Sequence, residues 1–81
     1  MTKLLTGVYF GKNLKQLRKK RGLTQEETVT QLQLLGSPLS RSTYSLIESG
    51  RCNLYVNDLV GLQKIFQCEY ADFFTDIPPS R

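Results

Sequence analysis

The chain of 81 residues places its most chemically useful side chains on one side of a short segment near its middle. Wound as a helix from Arg41 to about Ser49, that segment puts Arg41, Ser42, Ser45 and Leu46 on one side. Tyr44 and Ile47, three apart, fall on the other. A guanidinium, two hydroxyls and an apolar tip are suited to recognising a surface. Arginine can bridge guanine O6 and N7 with two parallel bonds, or hold a phosphate. A serine hydroxyl donates or accepts, so it reads a base edge with little selectivity and equally suits phosphate or water. Leucine can touch a thymine methyl or sit half-buried. Solvent is the plain alternative for all four. Nothing comparable points to catalysis. The chain has no His, no acid pair stands in a recognisable motif, and neither Cys52 nor Cys68 has an evident base.

Two punctuated stretches must position that segment: GLTQEE at 22–27 and SRSTYSLIESG at 40–50. Gly22 can take the left-handed conformation that ends a helix, and Thr24 with Glu27 forms a T-x-x-E capping box that starts the next. Ser40 is a good N-cap and Gly50 a fitting residue just past the helix end. Two capped helices in tandem describe a helix-turn-helix unit shaped for a DNA major groove. The first helix is expected from a Thr6 cap to about Arg21, with Phe10, Leu14 and Leu17 inward and Asn13 and Arg18 beside them. Lys12, Lys15, Lys19, Lys20 and Arg21 take its outer face and last turn, where cations suit the helix dipole. The second helix presents Val29, Leu32 and either Leu34 or Leu35, and stops at Gly36-Ser37-Pro38. The third has weak intrinsic propensity. Arg51 to Tyr55 reads as loop. A fourth helix follows with Val56, Leu59, Leu62 and Phe66; Gly61 inside it costs roughly 1 kcal/mol relative to Ala, which a close helix contact would explain. A fifth, from about Tyr70 to Phe74, brings Tyr70, Phe73 and Phe74 to close the core. No strand of note is expected.

Eighty-one residues make one domain with a modest core. The boundaries read as an arm at 1–8, a domain at 9–75 and a tail at 76–81. Leu4-Leu5 beside Lys3 is far too short for a signal-peptide core, and no apolar run approaches a membrane span. A cytoplasmic, nucleoid-associated protein is expected, with Cys52 and Cys68 as free thiols. Two cysteines without histidine make no zinc site, so neither metal nor cofactor is expected. Residues 1–41 carry eight Lys/Arg against Glu26 and Glu27, a balance of +6, whereas residues 42–81 balance at −2. The positive half is what a polyanion would meet, although a basic helix face is often only solvated.

The stretch GKNLKQLRKKRGLTQEE, then SRSTYSLIESGR, closely resembles the Cro/C1-type (XRE) helix-turn-helix domain of phage repressors and bacterial regulators. With the closing Tyr-Ala-Asp-Phe-Phe, the resemblance covers roughly 9–75. It implies an all-α, five-helix, lambda-repressor-like domain that binds double-stranded DNA, commonly as a homodimer on a near-palindromic operator. By position, Arg41, Ser42, Ser45 and Leu46 match groove-facing sites. Gln25, at the second helix's start, matches a glutamine that clamps a phosphate and supports the recognition helix, with Thr24 and Lys12 as further backbone contacts; Arg51 and Asn53 match loop positions near the DNA backbone. Arg18 and Glu48 match a structural ion pair, and Tyr44 and Ile47 core positions. Three departures stand out: the segment between Leu32 and Ser40 is about five residues longer than the usual turn, Val29 replaces a favoured alanine, and Leu46 replaces a common polar residue. The class includes phage repressors and very small restriction-modification controllers. The expected function is transcriptional regulation, as a repressor, without a catalytic residue or small-molecule effector. The alternative is an antitoxin or anti-repressor that grips a protein. A dimer would use Tyr55, Val56, Tyr70 and Phe74.

Overall fold

The computed structural model describes residues 3–4 and 6–79. In chain order these form β1 (Lys3–Leu4), α1 (Val8–Lys20), α2 (Gln25–Leu34), α3 (Arg41–Glu48), β2 (Leu54–Tyr55), α4 (Val56–Phe66) and a terminal 3₁₀ turn, Tyr70–Phe74. The five expected helices are thus four α-helices and one 3₁₀ turn. Five residues cannot sustain an α-helix of their own. Asp72 Oδ2 accepts the Glu69 N–H at 3.0 Å and so closes a single turn, and the backbone is extended again at Thr75.

Local capping sets the helix limits. Thr24 Oγ1 accepts the Glu27 N–H at 3.0 Å, and Glu27 Oε1 accepts the Thr24 N–H at 2.9 Å. The Thr24 backbone N–H, and then the Thr24 hydroxyl beside it, hold the Glu27 carboxyl below its ordinary pKa. Ser40 Oγ accepts the Thr43 N–H at the start of α3. At the other end of α3 the Gly50 N–H returns to Ile47 O at 3.1 Å and the Arg51 N–H to Leu46 O at 2.8 Å. This paired closure requires a left-handed residue between them, and Gly50 sits at φ +81°. Any Cβ there would also meet the Val8 Cα at 2.7 Å, so glycine is required on two grounds. Thr6 does not cap α1. Gly7 holds that position without a side-chain bond, because Thr6 faces the 52–53 loop: its N–H donates to Asn53 Oδ1 at 3.1 Å and its hydroxyl to Cys52 O at 3.2 Å.

The core comprises Phe10, Leu14, Val29, Leu32, Tyr44, Ile47, Leu54, Leu59, Leu62, Phe66 and Phe73. In α2 the buried side chains are Thr28, Val29 and Leu32, with Gln25 half-buried on the same stripe. Leu34 points outward, 82% exposed, off that stripe; Leu35 is in phase with Leu32 and Thr28 but stands at the helix C-cap and stays 58% exposed. A Cβ on Gly61 would lie 2.9 Å from Leu32 Cδ2, so α4 and α2 are as close there as the missing side chain allows. Of the three aromatics near the end, only Phe73 is buried. Tyr70 and Phe74 stay 45% and 46% exposed, the Phe74 ring resting against Phe10 with centroids 5.7 Å apart. Asn13, buried in α1, donates to Phe73 O at 3.0 Å and Thr75 O at 2.7 Å and so fastens the turn to α1. Segment 51–55 is loop only as far as Asn53. Leu54 and Tyr55 pair antiparallel with Leu4 and Lys3. A two-residue ribbon leaves no alternation in the sequence to announce it.

Candidate nucleic-acid interface

An eight-residue helix is marginal in water, so α3 depends on what holds its inner side. Tyr44 and Ile47 are fully buried in the core. Gly11 of α1 lies directly against the carbonyl of Glu48, and a Cβ there would stand 2.7 Å from Ile47 O. Glu48 ties the last turn of α3 to both neighbouring helices. Arg18 Nε donates to Glu48 Oε2 at 2.7 Å, Arg18 Nη2 to Oε1 at 3.2 Å, and Gln25 Nε2 to Oε1 at 3.0 Å. Arg18 Nη1 also donates to Leu23 O at 2.7 Å, in the connection between α1 and α2.

This network is nearly dry, with side-chain exposures of 9% for Arg18 and 3% for Glu48. Burial by itself would raise the Glu48 carboxyl's pKa. The bonds from Arg18 and Gln25, with the Tyr44 hydroxyl close by, outweigh it and hold Glu48 below the usual carboxylate value. The bond to Glu48 raises Arg18 further above its already high value. Desolvation, then the neighbouring Glu48 charge, push Tyr44 well above a free phenol. The Tyr44 hydroxyl has no hydrogen bond of good geometry, and it ends beside the most strongly charged pair in the core.

The opposite side of α3 faces solvent. Arg41, Ser42, Ser45 and Leu46 are all exposed, Leu46 at 43%. Ser49, one turn beyond Ser45, extends the same row, and its hydroxyl donates to Leu46 O at 2.9 Å. The Ser45-Ser49 spacing is the signal that would have found it. The flanking residues differ in what they have free. Thr24 is exposed, with its hydroxyl oxygen capping α2. The Gln25 amide is bound to Glu48, so it braces α3 from within. Lys12 and Lys15 are exposed on α1, and Arg51 is exposed directly after Gly50. Asn53 is half-buried, with its side-chain carbonyl taken by the Thr6 N–H; among the described residues none accepts from its amide group. Gln33 Nε2 donates to Leu39 O at 3.0 Å, and Ser37 Oγ accepts the Leu39 N–H at 3.1 Å. The long connection between α2 and α3 is therefore internally bonded.

The family model described as a helix-turn-helix domain matches residues 10–68, which span α1 through α4. The chain belongs to the Cro/C1-type (XRE) helix-turn-helix family. Among solved structures it is similar to the restriction-modification controller protein C.AhdI from Aeromonas hydrophila, at 28% identity and a TM-score of 0.71 over 83% of this chain and 94% of that one. No curated relative matches. An XRE-family chain of this kind is a DNA-binding transcription regulator, and the family is typically non-enzymatic. Among the described residues no group of three or more His, Cys, Asp or Glu could hold a metal ion, and no helix is long and apolar enough to cross a membrane.

Proposed function

We propose that this XRE-family protein binds a near-palindromic operator as a homodimer, with α3 in the major groove of each half-site, and represses transcription by occluding the DNA. The single observation that carries the reading is the exposed row Arg41, Ser42, Ser45 and Leu46 on a helix whose other side is locked by Tyr44, Ile47 and Glu48. Rigid presentation matters because base recognition depends on a side chain reaching one edge without searching for it. Arg41 stands at the first position of α3, the end that enters the groove in this motif. Thr24, Lys12, Arg51 and the Asn53 amide supply phosphate contacts at its flanks.

One helix reads only a few base pairs, too few to single out a genomic site, and two copies about one helical turn apart repair that. The proposed dimer surface comprises Tyr55, Val56, Tyr70 and Phe74; the three aromatics among them are 40–46% exposed. The likeness to a restriction-modification controller favours a second reading within the same chemistry, in which the genes controlled are of that kind. Selection of bound fragments from random duplex DNA tests both. A two-fold symmetric consensus, with affinity falling steeply as salt rises, supports the operator reading. Recovery of fragments without any common sequence overturns it, and occurrence of the consensus beside restriction genes separates the controller role from other repressors.

A further inference from the structure

We propose that Ser42 acts on DNA as an acceptor only, reading an exocyclic amino group of adenine or cytosine in the major groove. This rests on the operator reading above and names the base chemistry at one position of it.

The argument is a count of hydroxyl hydrogens at the start of α3. Ser40 has one. It points at Thr43 Oγ1, at 3.0 Å, in a geometry where Ser40 is the donor. Ser40 Oγ also accepts the Thr43 N–H at 3.2 Å as the helix cap. Ser40 Oγ and Ser42 Oγ lie 3.2 Å apart, a bond either could donate by position alone. With its hydrogen on Thr43 Oγ1, Ser40 has none left to give, so for both bonds to stand together Ser42 is the donor. The Ser42 hydrogen is then turned back toward the cap, and its lone pairs are what an outside partner meets. Ser42 is exposed on the side of α3 that carries Arg41.

Serine is ordinarily a poor reader because it can donate or accept. Here the cap removes one of the two options. In the major groove, adenine N6 and cytosine N4 offer donors, whereas guanine O6 and N7 and thymine O4 offer only acceptors. Guanine or thymine opposite Ser42 would place lone pairs against lone pairs, or force Ser42 to break its bond to Ser40. Arg41 beside it is a pure donor and favours guanine. The first two residues of α3 therefore ask opposite questions of neighbouring bases. The Ser49 hydrogen is likewise committed, to Leu46 O. Among the described residues none binds the Ser45 hydroxyl, which keeps both options.

The test is competition binding on the selected operator with each base pair of a half-site permuted in turn, using wild type, Ser42→Ala and Thr43→Val. Both substituted side chains lie at or near the surface of α3, and thermal melting confirms that each variant is folded. Wild type should prefer adenine or cytosine at one position by roughly three- to tenfold, the range of one neutral hydrogen bond. Ser42→Ala should remove that preference and leave the others. Thr43→Val takes away the acceptor for the Ser40 hydrogen, so Ser40 can donate to Ser42 and free the Ser42 hydrogen to turn outward. The preference should then relax toward guanine and thymine at the same position, with Ser42 still present. A Ser42-dependent preference for guanine or thymine in wild type overturns the inference. So does an unchanged preference in Ser42→Ala, or in Thr43→Val. Failure of the operator reading is distinct: wild type and Arg41→Ala would then bind every permuted duplex equally.

Discussion

Glu48→Ala is the perturbation that most directly tests how α3 is held. The substitution removes the acceptor for three N–H donors: Arg18 Nε at 2.7 Å, Arg18 Nη2 at 3.2 Å and Gln25 Nε2 at 3.0 Å. The Arg18 guanidinium keeps one bond, to Leu23 O, and stays in a site where its side chain is only 9% exposed. Stranding one member of a buried pair costs about 3–5 kcal/mol, against about 0–1 kcal/mol for an exposed pair. For a domain of this size each kcal/mol moves the melting midpoint by about 4–8 °C, so the expected drop is at least about 12 °C. Total stability is on the order of 4–12 kcal/mol, so the loss takes at least about a quarter of it. Thermal melting followed by far-ultraviolet circular dichroism measures this directly, with Lys20→Ala as the exposed reference on α1. Arg18→Met combined with Glu48→Leu should recover much of the loss, since neither charge is then stranded. If Glu48→Ala melts within about 3 °C of Lys20→Ala, the network is not what anchors α3 and the reasoning fails.

Four further outcomes follow from the same structure. Stability should fall as acid protonates Glu48: its folded pKa lies below the ordinary 4.5, so its contribution is present above that value and lost as pH drops through the folded one. Melting midpoints from pH 6 down to 3 should show this, with a flatter profile for Glu48→Gln. Gly11→Ala drives a methyl into the Ile47 and Glu48 carbonyls, and backbone there cannot yield as a side chain can; a loss of about 3 kcal/mol or more is expected by urea titration. Arg41→Ala should weaken operator binding by about 1–3 kcal/mol and flatten preference at one base pair, read by competition against a site library. Equilibrium sedimentation with a palindromic duplex should give two protein copies per duplex, and one copy per duplex would remove the symmetric-operator proposal.

What was legible in the sequence was punctuation. Gly22, Thr24, Glu27, Ser40 and Gly50 act within four residues of themselves, so their types and spacing suffice to place the ends of α1, α2 and α3. Inward positions at regular spacing, such as Phe10 and Leu14 or Leu59, Leu62 and Phe66, were equally readable, because periodicity reports a face directly. Where the stripe ended it misled: Leu34 is apolar but lies off the buried side, and Leu35, though in phase with Leu32, falls at the helix C-cap and stays exposed. Thr6 has the right type for a cap and lies next to the right place. A partner 46 residues away, the Cys52 carbonyl, takes its hydroxyl instead, and a local rule has no access to that.

The residues that hold the candidate interface were the least visible for the same reason. Arg18 and Glu48 are separated by 30 residues, and only the family resemblance put them together. Gln25 sits one position inside a capping box, and only the resemblance gave it a supporting role beside the phosphate one; its amide bonds inward to Glu48. Gly11 looks like a weak helix former in α1, where it costs about 1 kcal/mol against alanine, until α3 is brought against it. Each of these is a polar or small residue whose worth depends on a neighbour supplied by the fold. They converge on one place, the last turn of α3. Under the proposed operator reading, the exposed row of that helix is free to vary with the DNA because its orientation is fixed from behind by Arg18, Gln25, Gly11 and Tyr44. A change of operator preference should therefore be reachable through Arg41, Ser42 and Ser45 without loss of fold, whereas changes at the four anchoring residues should cost stability before they alter which sequence is read.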